Sequence, residues 1–506
     1  MADLSYRILI ECKDGPVAVI GMADIEDHQL HVVSDVPDGY LRDATGEMEL
    51  RISPNDRIFV NGYQTWTHSP EFKPDDVQKK YGKKLPRFLI DKFFLDRYGD
   101  LFFHDYPETP GVFTGYSYCW IRNGEHFRLF ASLDETPGYT VFRVDANKGK
   151  LFIERDCRNM KCDGLFHAFD LFVAEGKEDE VFDAWFNAMG VKPRTAERLM
   201  GYSSWYNRYD KIDEPGILSD LSGAESVLEA GDLFQVDDGW QTAVGDWLSI
   251  KEDKFPKGMR YISDRIHEKG FKAGLWLAPF GAQFESGLAK EHPDWLLKYR
   301  GKPWAAGVNW GGFYGIDIDN KEVVSYLEKV FDTVLGQWNF DLVKLDFLYA
   351  AAPFGNDTES RAARMIRAMK LLRSLCGNKL ILGCGVPLMP AFGLVDYCRI
   401  GCDVGLDWND TAMMQWTHRE RVSTKNSIDD TVCRRHLNGR AFLNDPDVFF
   451  LRDENCKLSA MQKEVLYTAN SRYGGILLTS DDLNKWDDNK KALYRRIRKD
   501  FTRIMR

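Results

Sequence analysis

The sequence predicts a multidomain protein in which an N-terminal antiparallel β-sandwich (residues 1–177) precedes a (β/α)8 TIM barrel (residues 178–506). Up to about residue 175, short β-type runs alternate with turns rich in Gly, Asp and Pro, which is typical of a sandwich. From residue 178, strand-like runs alternate with amphipathic helical runs, which is the signature of βα units. A chain of 506 residues has room for a barrel of ~250 residues and a smaller domain.

Composition excludes some classes of protein. The net charge of −10 argues against a nucleic-acid partner. No apolar stretch approaches the ~20 residues that span a bilayer, and the N-terminus lacks the pattern of a secretory signal, so we expect a cytoplasmic protein without membrane contacts. The ten cysteines have no disulfide-type spacing, which favours free thiols. The 14 tryptophans suit sugar stacking but equally suit an ordinary core.

In the N-terminal part, no cluster of ionisable residues stands out. The loop Asn61–Pro70 places Trp66 among turn-forming residues, so this side chain either contributes to a site or packs against the neighbouring domain. The runs that we predict as strands include Tyr6–Cys12, His31–Val33, Met48–Ile52, Tyr139–Val144 and Lys150–Glu154.

The barrel follows a bridging helix at Glu178–Gly190, and a further helix is predicted at Thr358–Cys376. The connection 280–321 is long enough to be a functional loop. A closing helix is predicted at Lys490–Arg506. The eight predicted barrel strands are Gly201–Tyr206, Leu233–Trp240, Phe271–Pro279, Leu342–Phe347, Lys379–Gly385, Tyr397–Gly401, Ala441–Asp445 and Gly475–Ser480.

Several of these strands change from apolar to ionisable residues at their C-terminal ends, where a parallel barrel displays its chemistry. Asp346 and Asp403 are candidates for a pair of catalytic carboxylates on a glycosidic bond. Lys344 points to the same side of its strand as Asp346 and favours the ionised carboxylate. A partly desolvated Asp403 instead holds the proton that a leaving oxygen needs. The alternatives are an ion pair at the barrel rim and, for each aspartate, a helix N-cap.

Other strand ends suit recognition of hydroxyl groups. The adjacent acceptors Asp237 and Asp238 can each take one of two neighbouring sugar hydroxyls, unless they only cap a turn. Cys384, between two glycines, leaves room for a plain hydroxyl, although a buried structural thiol also explains it. No strand end contributes a histidine, and Lys344 lies among the carboxylates, so a metal site is not expected.

Together these segments resemble the α-galactosidases of glycoside hydrolase family 36, in clan D. Each motif is short, but jointly, and in the family's order, they are specific. They are Gly62-Tyr-Gln-Thr-Trp66, Ser204-Trp-Tyr206, Asp237-Asp-Gly-Trp240, Leu275-Trp-Leu-Ala-Pro279, Lys344-Leu-Asp-Phe-Leu348, Leu382-Gly-Cys-Gly385, Arg399-Ile-Gly-Cys-Asp403 and Leu443-Asn-Asp-Pro-Asp447.

The resemblance implies a retaining exo-α-galactosidase without metal or organic cofactor, acting on oligosaccharides of the melibiose or raffinose type. Asp346 would be the nucleophile and Asp403 the acid/base. Asp237 and Asp238 would bind the axial 4-OH and the 6-OH of galactose. The remaining residues that we expect around the sugar are Trp66, Tyr206, Trp276, Lys344, Cys384 and Arg399.

The sequence departs from the resemblance after the eighth predicted strand. Members of this family usually continue into a C-terminal β-domain, and we expect that domain to be absent here. Two enzymatic alternatives remain at this point, an α-N-acetylgalactosaminidase and a galactosyl transferase. A sugar-binding protein without catalysis is a third, against which the presence of both Asp346 and Asp403 argues.

Overall fold

The computed structural model describes residues 3–79, 85–98, 106–417 and 421–503. An antiparallel sheet comes first, a helix follows it, and a parallel sheet whose strands alternate with helices forms the rest. This is the order of parts that the sequence predicts.

The N-terminal part is one 11-stranded antiparallel sheet with a short helix inserted in it. Its elements are β1 (Leu4–Cys12), β2 (Gly15–Ala23), β3 (Gln29–Glu49), β4 (Arg57–Val60), β5 (Glu71–Phe72), α1 (Arg87–Lys92), β6 (Val112–Tyr116), β7 (Tyr118–Asn123), β8 (His126–Ser132), β9 (Thr140–Asp145), β10 (Lys150–Arg155) and β11 (Lys161–Lys177).

This sheet is curled, and two long strands explain how. Strands β3 and β11 have 21 and 17 residues, and their pairing shifts register twice, between Cys162 and Gly164 and between His167 and Phe169. Such bulges bend a strand and increase its twist. The curled sheet encloses an apolar core, consistent with the predicted sandwich.

Helix α2 (Glu178–Met189) connects the two sheets. At its start the Lys177 backbone N–H donates to Glu180 Oε2 at 3.1 Å, and the helix ends at Gly190, whose φ of 66° is left-handed. Its buried face contributes Phe182 and Trp185 to a core that also contains side chains of β7 and β8 and of the parallel sheet. The two sheets therefore share one core across this helix.

The rest of the chain alternates strands and helices. Its elements are β12 (Leu199–Ser203), α3 (Trp205–Arg208), α4 (Glu214–Ala224), β13 (Leu233–Val236), α5 (Gly258–Glu268), β14 (Lys272–Leu277), β15 (Gly281–Gln283), α6 (Gly287–Glu291), β16 (Lys298–Tyr299), β17 (Lys302–Pro303), β18 (Ala305–Gly307), β19 (Phe313–Gly315), α7 (Lys321–Phe331), β20 (Leu342–Leu345), α8 (Arg361–Cys376), β21 (Leu380–Gly383), α9 (Leu388–Ala391), β22 (Tyr397–Arg399), α10 (Ala412–Thr417), α11 (Thr424–Cys433), β23 (Leu443–Asp445), β24 (Val448–Phe449), α12 (Ala460–Tyr473), β25 (Ile476–Thr479) and α13 (Asp488–Arg503).

Nine of these strands form a parallel sheet in the order β23-β22-β21-β20-β14-β13-β12-β25-β24. The strands at its two ends, β23 and β24, are separated in the chain by only Pro446 and Asp447. Proline cannot donate to a strand ladder, so one strand is broken here into two short pieces that pair with different neighbours. The two ends of the sheet therefore lie close together, and the sheet curls in the manner of a TIM barrel.

All eight predicted barrel strands are present, and each is shorter than predicted. The first strand begins earlier than predicted, at Leu199, and ends at Ser203. Trp205 and Tyr206, which were placed at its end, lie in α3, because the chain turns after Ser203 and the Tyr206 N–H donates to Ser480 Oγ at 2.9 Å. Strand β24 was not predicted. The last residues of the predicted closing helix, 504–506, lie outside the described residues.

The ten cysteines are free thiols, and eight of them are buried. In the described ranges, no helix combines the length and the apolar character that crossing a membrane requires.

Candidate active site

A cavity of about 230 Å³ lies at the C-terminal ends of the parallel strands. It is smaller than the ~300–1,000 Å³ of pockets that hold drug-sized ligands, which suits a single sugar ring. The residues that line it are Trp66, Trp205, Asp237, Asp238, Trp276, Asn309, Trp310, Lys344, Asp346, Phe347, Arg399, Asp403 and Val422. Eight of the ten residues predicted from the sequence are in this lining, and Tyr206 and Cys384 are not.

Asp346 directly follows β20 and is held by neutral donors. Trp276 Nε1 donates to its Oδ2 at 3.1 Å, and the Phe347 backbone N–H donates to its Oδ1 at 2.9 Å. Phe347 has a φ of 54°, an unusual value for a bulky residue, and this sharp turn brings its N–H back to the carboxylate. Both oxygens of Asp346 are thus oriented while the residue remains 8% exposed to the cavity.

Lys344 forms its ion pair with Asp237, at 2.9 Å between Nζ and Oδ2. Burial by itself lowers the pKa of Lys344, but Asp237, and to a smaller extent Asp346, raise it well above the ordinary value. Gln235 Nε2 donates to the same Asp237 oxygen at 2.7 Å. The cation that the sequence predicts near Asp346 is therefore favoured, and its direct partner is Asp237.

Asp238 is fixed by two side chains. Gln241 Nε2 donates to its Oδ1 at 2.6 Å, and Trp310 Nε1 donates to its Oδ2 at 2.8 Å. Burial raises the pKa of Asp238 above its ordinary value despite these hydrogen bonds. Trp310 comes from the long connection between β14 and β20 and has a φ of 56°, so an irregular loop supplies this wall of the cavity.

Arg399, at the end of β22, holds three carboxylates. Its Nη1 donates to Asp403 Oδ1 at 2.7 Å, its Nη2 to Asp447 Oδ1 at 3.0 Å and its Nε to Asp445 Oδ2 at 3.2 Å. Burial alone lowers the pKa of Arg399, but these carboxylates, chiefly Asp447, raise it well above the ordinary value. The guanidinium thus stays charged and orients Asp403.

The side chain of Asp403 is 44% exposed and lines the cavity. Desolvation there raises the pKa of Asp403 to about 6; Arg399 opposes this shift, and the neighbouring Asp447 adds to it. A carboxyl group with such a pKa carries a proton at mildly acidic pH and gives it up near neutrality.

Tyr206 lies behind the cavity wall. Its hydroxyl donates to Asp447 Oδ2 at 2.7 Å, and the Val404 N–H donates to the same oxygen at 2.9 Å. Asp447 in turn pairs with Arg399. Tyr206 therefore acts on the cavity through Asp447 and Arg399.

Trp66 reaches the cavity from the N-terminal part of the chain. Its Nε1 lies 3.2 Å from Cys384 Sγ, and its ring packs edge-on against Phe347 with 5.0 Å between ring centroids. Cys384 is thereby covered, and burial raises the pKa of this thiol well above its ordinary value. The sequence left open whether Trp66 contributes to a site or packs against the neighbouring domain. In the structure its ring does both, because it packs on the barrel and also lines the cavity.

Sequence reasoning missed five lining residues, none of which lies in a barrel strand. The five are Trp205, Asn309, Trp310, Phe347 and Val422. For Asn309 and Trp310 there was a partial signal, because the length of the connection after β14 indicated a functional loop, although it did not identify these two residues.

In the part of the chain that the structure describes, no group of three or more His, Cys, Asp or Glu side chains is arranged to hold a metal ion. The cavity instead combines four carboxylates and two cations with aromatic walls. Two carboxyl groups in different electrostatic surroundings can serve one as a nucleophile and the other as a proton donor.

Comparison with known proteins agrees with this chemistry. Residues 202–374 match the melibiase family model. The chain is 34% identical over 152 residues to alpha-galactosidase Mel36A of Lactobacillus acidophilus, and this match covers 28% of the chain and 20% of that relative. It is 28% identical over 161 residues to alpha-galactosidase AgaA of Geobacillus stearothermophilus, covering 30% of the chain and 21% of that relative. The matched segments thus span only about a fifth of these relatives' own length.

A solved structure is similar over almost the whole chain. It is the alpha-galactosidase TtGalA from Thermus thermophilus in complex with p-nitrophenyl alpha-D-galactopyranoside, with a TM-score of 0.77 and 27% identity, covering 98% of this chain and 95% of that one. The structure of AgaA shares the fold, with a TM-score of 0.63 at 12% identity, covering 99% of this chain and 75% of that one.

Proposed function

We propose that the chain is a retaining exo-α-galactosidase of glycoside hydrolase family 36, because its barrel matches the melibiase family model and the proteins that it resembles are alpha-galactosidases. Asp346 attacks the anomeric carbon of a terminal α-galactosyl residue while Asp403 protonates the leaving oxygen. The resulting glycosyl ester on Asp346 is then hydrolysed by a water molecule whose proton passes to Asp403, and galactose is released with its α configuration retained.

The difference between the two carboxyl groups carries this proposal. Asp346 accepts hydrogen bonds at both oxygens, from Trp276 and from the Phe347 backbone, which fix the orientation of its carboxyl group towards the cavity. Asp403 has a pKa of about 6 because it is desolvated beside Asp447. Two carboxyl groups that line one cavity and differ in this way are suited to a nucleophile and an acid/base.

The remaining polar side chains suit a galactosyl ring. We assign the axial 4-OH and the 6-OH to Asp237 and Asp238, whose carboxylates are held in place by Lys344 and Trp310 before any ligand arrives. Charge-assisted hydrogen bonds to such fixed acceptors are strong and directional. The ring stacks between aromatic walls, and the other hydroxyls face Lys344 and Arg399.

Contacts at Cys384 support galactose over N-acetylgalactosamine. An acetamido group needs space beside this thiol, where the sequence predicts room for a hydroxyl. Trp66 Nε1 lies 3.2 Å from Cys384 Sγ and closes that space. A Cβ at Gly385 would come within 2.9 Å of the Trp66 ring, so the wall is also tightly packed from behind.

The proposal also covers the architecture of the two sheets, the domain boundary, the location and the natural substrates. We interpret the curled parallel sheet as a closed (β/α)8 barrel in which β23 and β24 together are the seventh strand, and the curled antiparallel sheet as a sandwich. The domain boundary between residues 177 and 178, the cytoplasmic location, and substrates of the melibiose or raffinose type stay predictions from the sequence.

Hydrolysis of p-nitrophenyl α-galactoside tests the proposal, with the anomeric proton of the first-formed galactose followed by NMR. We expect α-galactose before mutarotation, and much slower hydrolysis of the matching N-acetylgalactosaminide. Release of β-galactose would refute the retaining mechanism. The absence of hydrolysis, with galactose still binding, would favour a sugar-binding protein.

The role of Asp346 is tested by Asp346→Gly. We expect hydrolysis to be abolished and the fold to be retained. Azide should restore turnover by attacking from the vacated face, with β-galactosyl azide as the product. Substantial hydrolysis by this variant without azide would show that Asp346 is not the nucleophile.

A further inference from the structure

We infer that Asp430 and Arg434 form a clamp that sets the position of Trp66 relative to Asp403, and that both are positioning residues for the proposed reaction. The inference rests on the proposed function. We call residues 61–69, which carry Trp66, the Trp66 loop, and residues 400–403, which lead from β22 to Asp403, the acid/base segment.

Arg434 immediately follows α11 and is 0% exposed. A guanidinium has five N–H donors, and here five hydrogen bonds are formed, every one to a neutral oxygen. Four of them reach the Trp66 loop and one reaches the acid/base segment. The acceptors are Asn61 Oδ1 at 3.0 Å, the Thr65 carbonyl at 2.8 Å, the Thr67 carbonyl at 3.2 Å, Ser69 Oγ at 2.8 Å and the Ile400 carbonyl at 2.9 Å.

Asp430 lies one helical turn earlier, so its side chain is on the same face of α11 as that of Arg434. It is also 0% exposed. Its Oδ1 accepts the Ser69 N–H at 2.7 Å and contacts His68 Nδ1 at 3.0 Å, and its Oδ2 accepts the Cys402 N–H at 3.3 Å. Two residues in the Trp66 loop and one next to Asp403 are thus held by the same carboxylate.

Gly401 shows how closely α11 approaches the acid/base segment. A Cβ at this position would lie 2.8 Å from Asp430 Cβ, closer than real Cβ contacts. The absence of a side chain at residue 401 therefore allows the contact that places Asp430 between the two segments.

Two opposite charges, each bonded to both segments, define the relative position of the segments more narrowly than one contact does. Trp66 closes one wall of the cavity, and Asp403 delivers the proton from another. Because a displacement of about 1 Å at a reacting centre costs roughly 100-fold in rate, fixing this geometry is a contribution to catalysis. The alternative is that the clamp only holds the two parts of the chain together.

Arg434→Lys and Asp430→Asn distinguish these two roles. An ammonium has three donors and cannot span five acceptors, and an asparagine keeps its size but loses one acceptor. Arg155→Lys is the matched control, since Arg155 is 1% exposed and also binds backbone carbonyls, but it lies away from the cavity lining.

With an aryl α-galactoside that has a poor leaving group, we expect kcat/KM to fall about 10- to 100-fold in both clamp variants. With an activated leaving group, which needs less proton donation, the fall should be clearly smaller. Inhibition by galactose should also weaken, because Trp66 lines the cavity in which we propose that the sugar binds. In Arg155→Lys, kcat/KM with each of the two substrates and the inhibition constant of galactose should all stay within about twofold of the wild type.

Hydrogen exchange provides a second measurement that needs no activity. In either clamp variant, peptides that contain the Trp66 loop and the acid/base segment should exchange faster together, whereas Arg155→Lys should change neither. Unaltered exchange, faster exchange in only one of the two segments, or equal kinetic losses for both leaving groups would overturn the clamp.

If the wild type hydrolyses no α-galactoside, the proposed function fails, and the exchange measurement still decides whether the clamp exists. Should Arg434→Lys fail to fold, Asp430→Asn carries the same test.

Discussion

Replacing Asp403 by asparagine tests the division of roles between the two carboxyl groups. The change keeps the shape of the side chain and removes its proton. General acid assistance contributes about 10²- to 10⁴-fold, so a substrate with a poor leaving group should lose activity in that range. An activated leaving group departs without a proton, so its first step should be much less affected. The remaining loss would then arise in the hydrolysis of the glycosyl intermediate.

The pH dependence of kcat/KM provides a second quantitative test of the role of Asp403. The proton on Asp403 must be present in the free enzyme, and the pKa of about 6 places its loss just below neutrality. Wild-type kcat/KM should therefore fall about tenfold per pH unit above pH ~6. In Asp403→Asn this decline should disappear.

Stability should change with the same group. Because the folded-state pKa of Asp403 is raised, its contribution to stability is fully present below the ordinary value of about 3.9 and is lost as pH rises through about 6. The difference between these two pKa values corresponds to at most about 3 kcal/mol of stability. Since the side chain is 44% exposed, solvent screening reduces our expectation to about 1 kcal/mol. Between pH 4 and pH 8, the free energy of unfolding of Asp403→Asn should therefore increase relative to that of the wild type.

The assay combines kcat/KM from pH 4 to pH 9, for one poor and one activated aryl galactoside, with urea unfolding at pH 4 and pH 8. Azide should accelerate Asp403→Asn with the activated substrate and yield α-galactosyl azide, because azide attacks the glycosyl ester from the face that Asp403 serves. A decline near pH 6 that persists in the variant, or equal losses with both substrates, would refute the assignment of Asp403.

Two further predictions concern the side chains that hold Asp237 and Asp238. Lys344→Met leaves the buried Asp237 without its cation and should lower the free energy of unfolding by about 3–5 kcal/mol, whereas Lys269→Met, which breaks an exposed ion pair with Glu225, should cost less than about 1 kcal/mol. Equal losses in urea unfolding would contradict this. Trp310→Phe keeps an aromatic wall but removes the donor to Asp238, so kcat/KM should fall about 10- to 100-fold while urea unfolding changes little. Unchanged kinetics would place Asp238 outside the sugar site.

Much of the barrel could be predicted because its strands are encoded locally. Each is a short apolar run that ends in polar residues, and parallel strands bring such ends together. Asp237, Asp238, Lys344, Asp346 and Arg399 could therefore be found from sequence, and all of them line the cavity. Their partners could not be found in this way. Lys344 on β20 pairs with Asp237 at the end of β13, and these two strands are far apart in the chain and separated in the sheet by β14.

The misses have different physical causes. Trp310 lies in a loop whose backbone, with a φ of 56°, follows from tertiary contacts rather than from a local pattern. Strand β3 runs without interruption through Pro37 and Gly39, where sequence reasoning ends a strand, because bulged pairing accommodates them. The break at Pro446 did have a signal, since proline rarely continues a central strand.

The N-terminal part of the chain is needed for more than stability. Phe182 of α2 stacks on His436 with ring centroids 4.0 Å apart, and His436 Nε2 lies 3.1 Å from the hydroxyl of Tyr118 on β7. Burial lowers the pKa of His436 well below its ordinary value, so a neutral ring is packed between the two sheets. Because the core is continuous here and Trp66 completes the cavity, the barrel residues alone would lack both a covered surface and one wall of the site. The sugar cavity is therefore a product of both parts of the chain, and a change at their interface is a change in the active site.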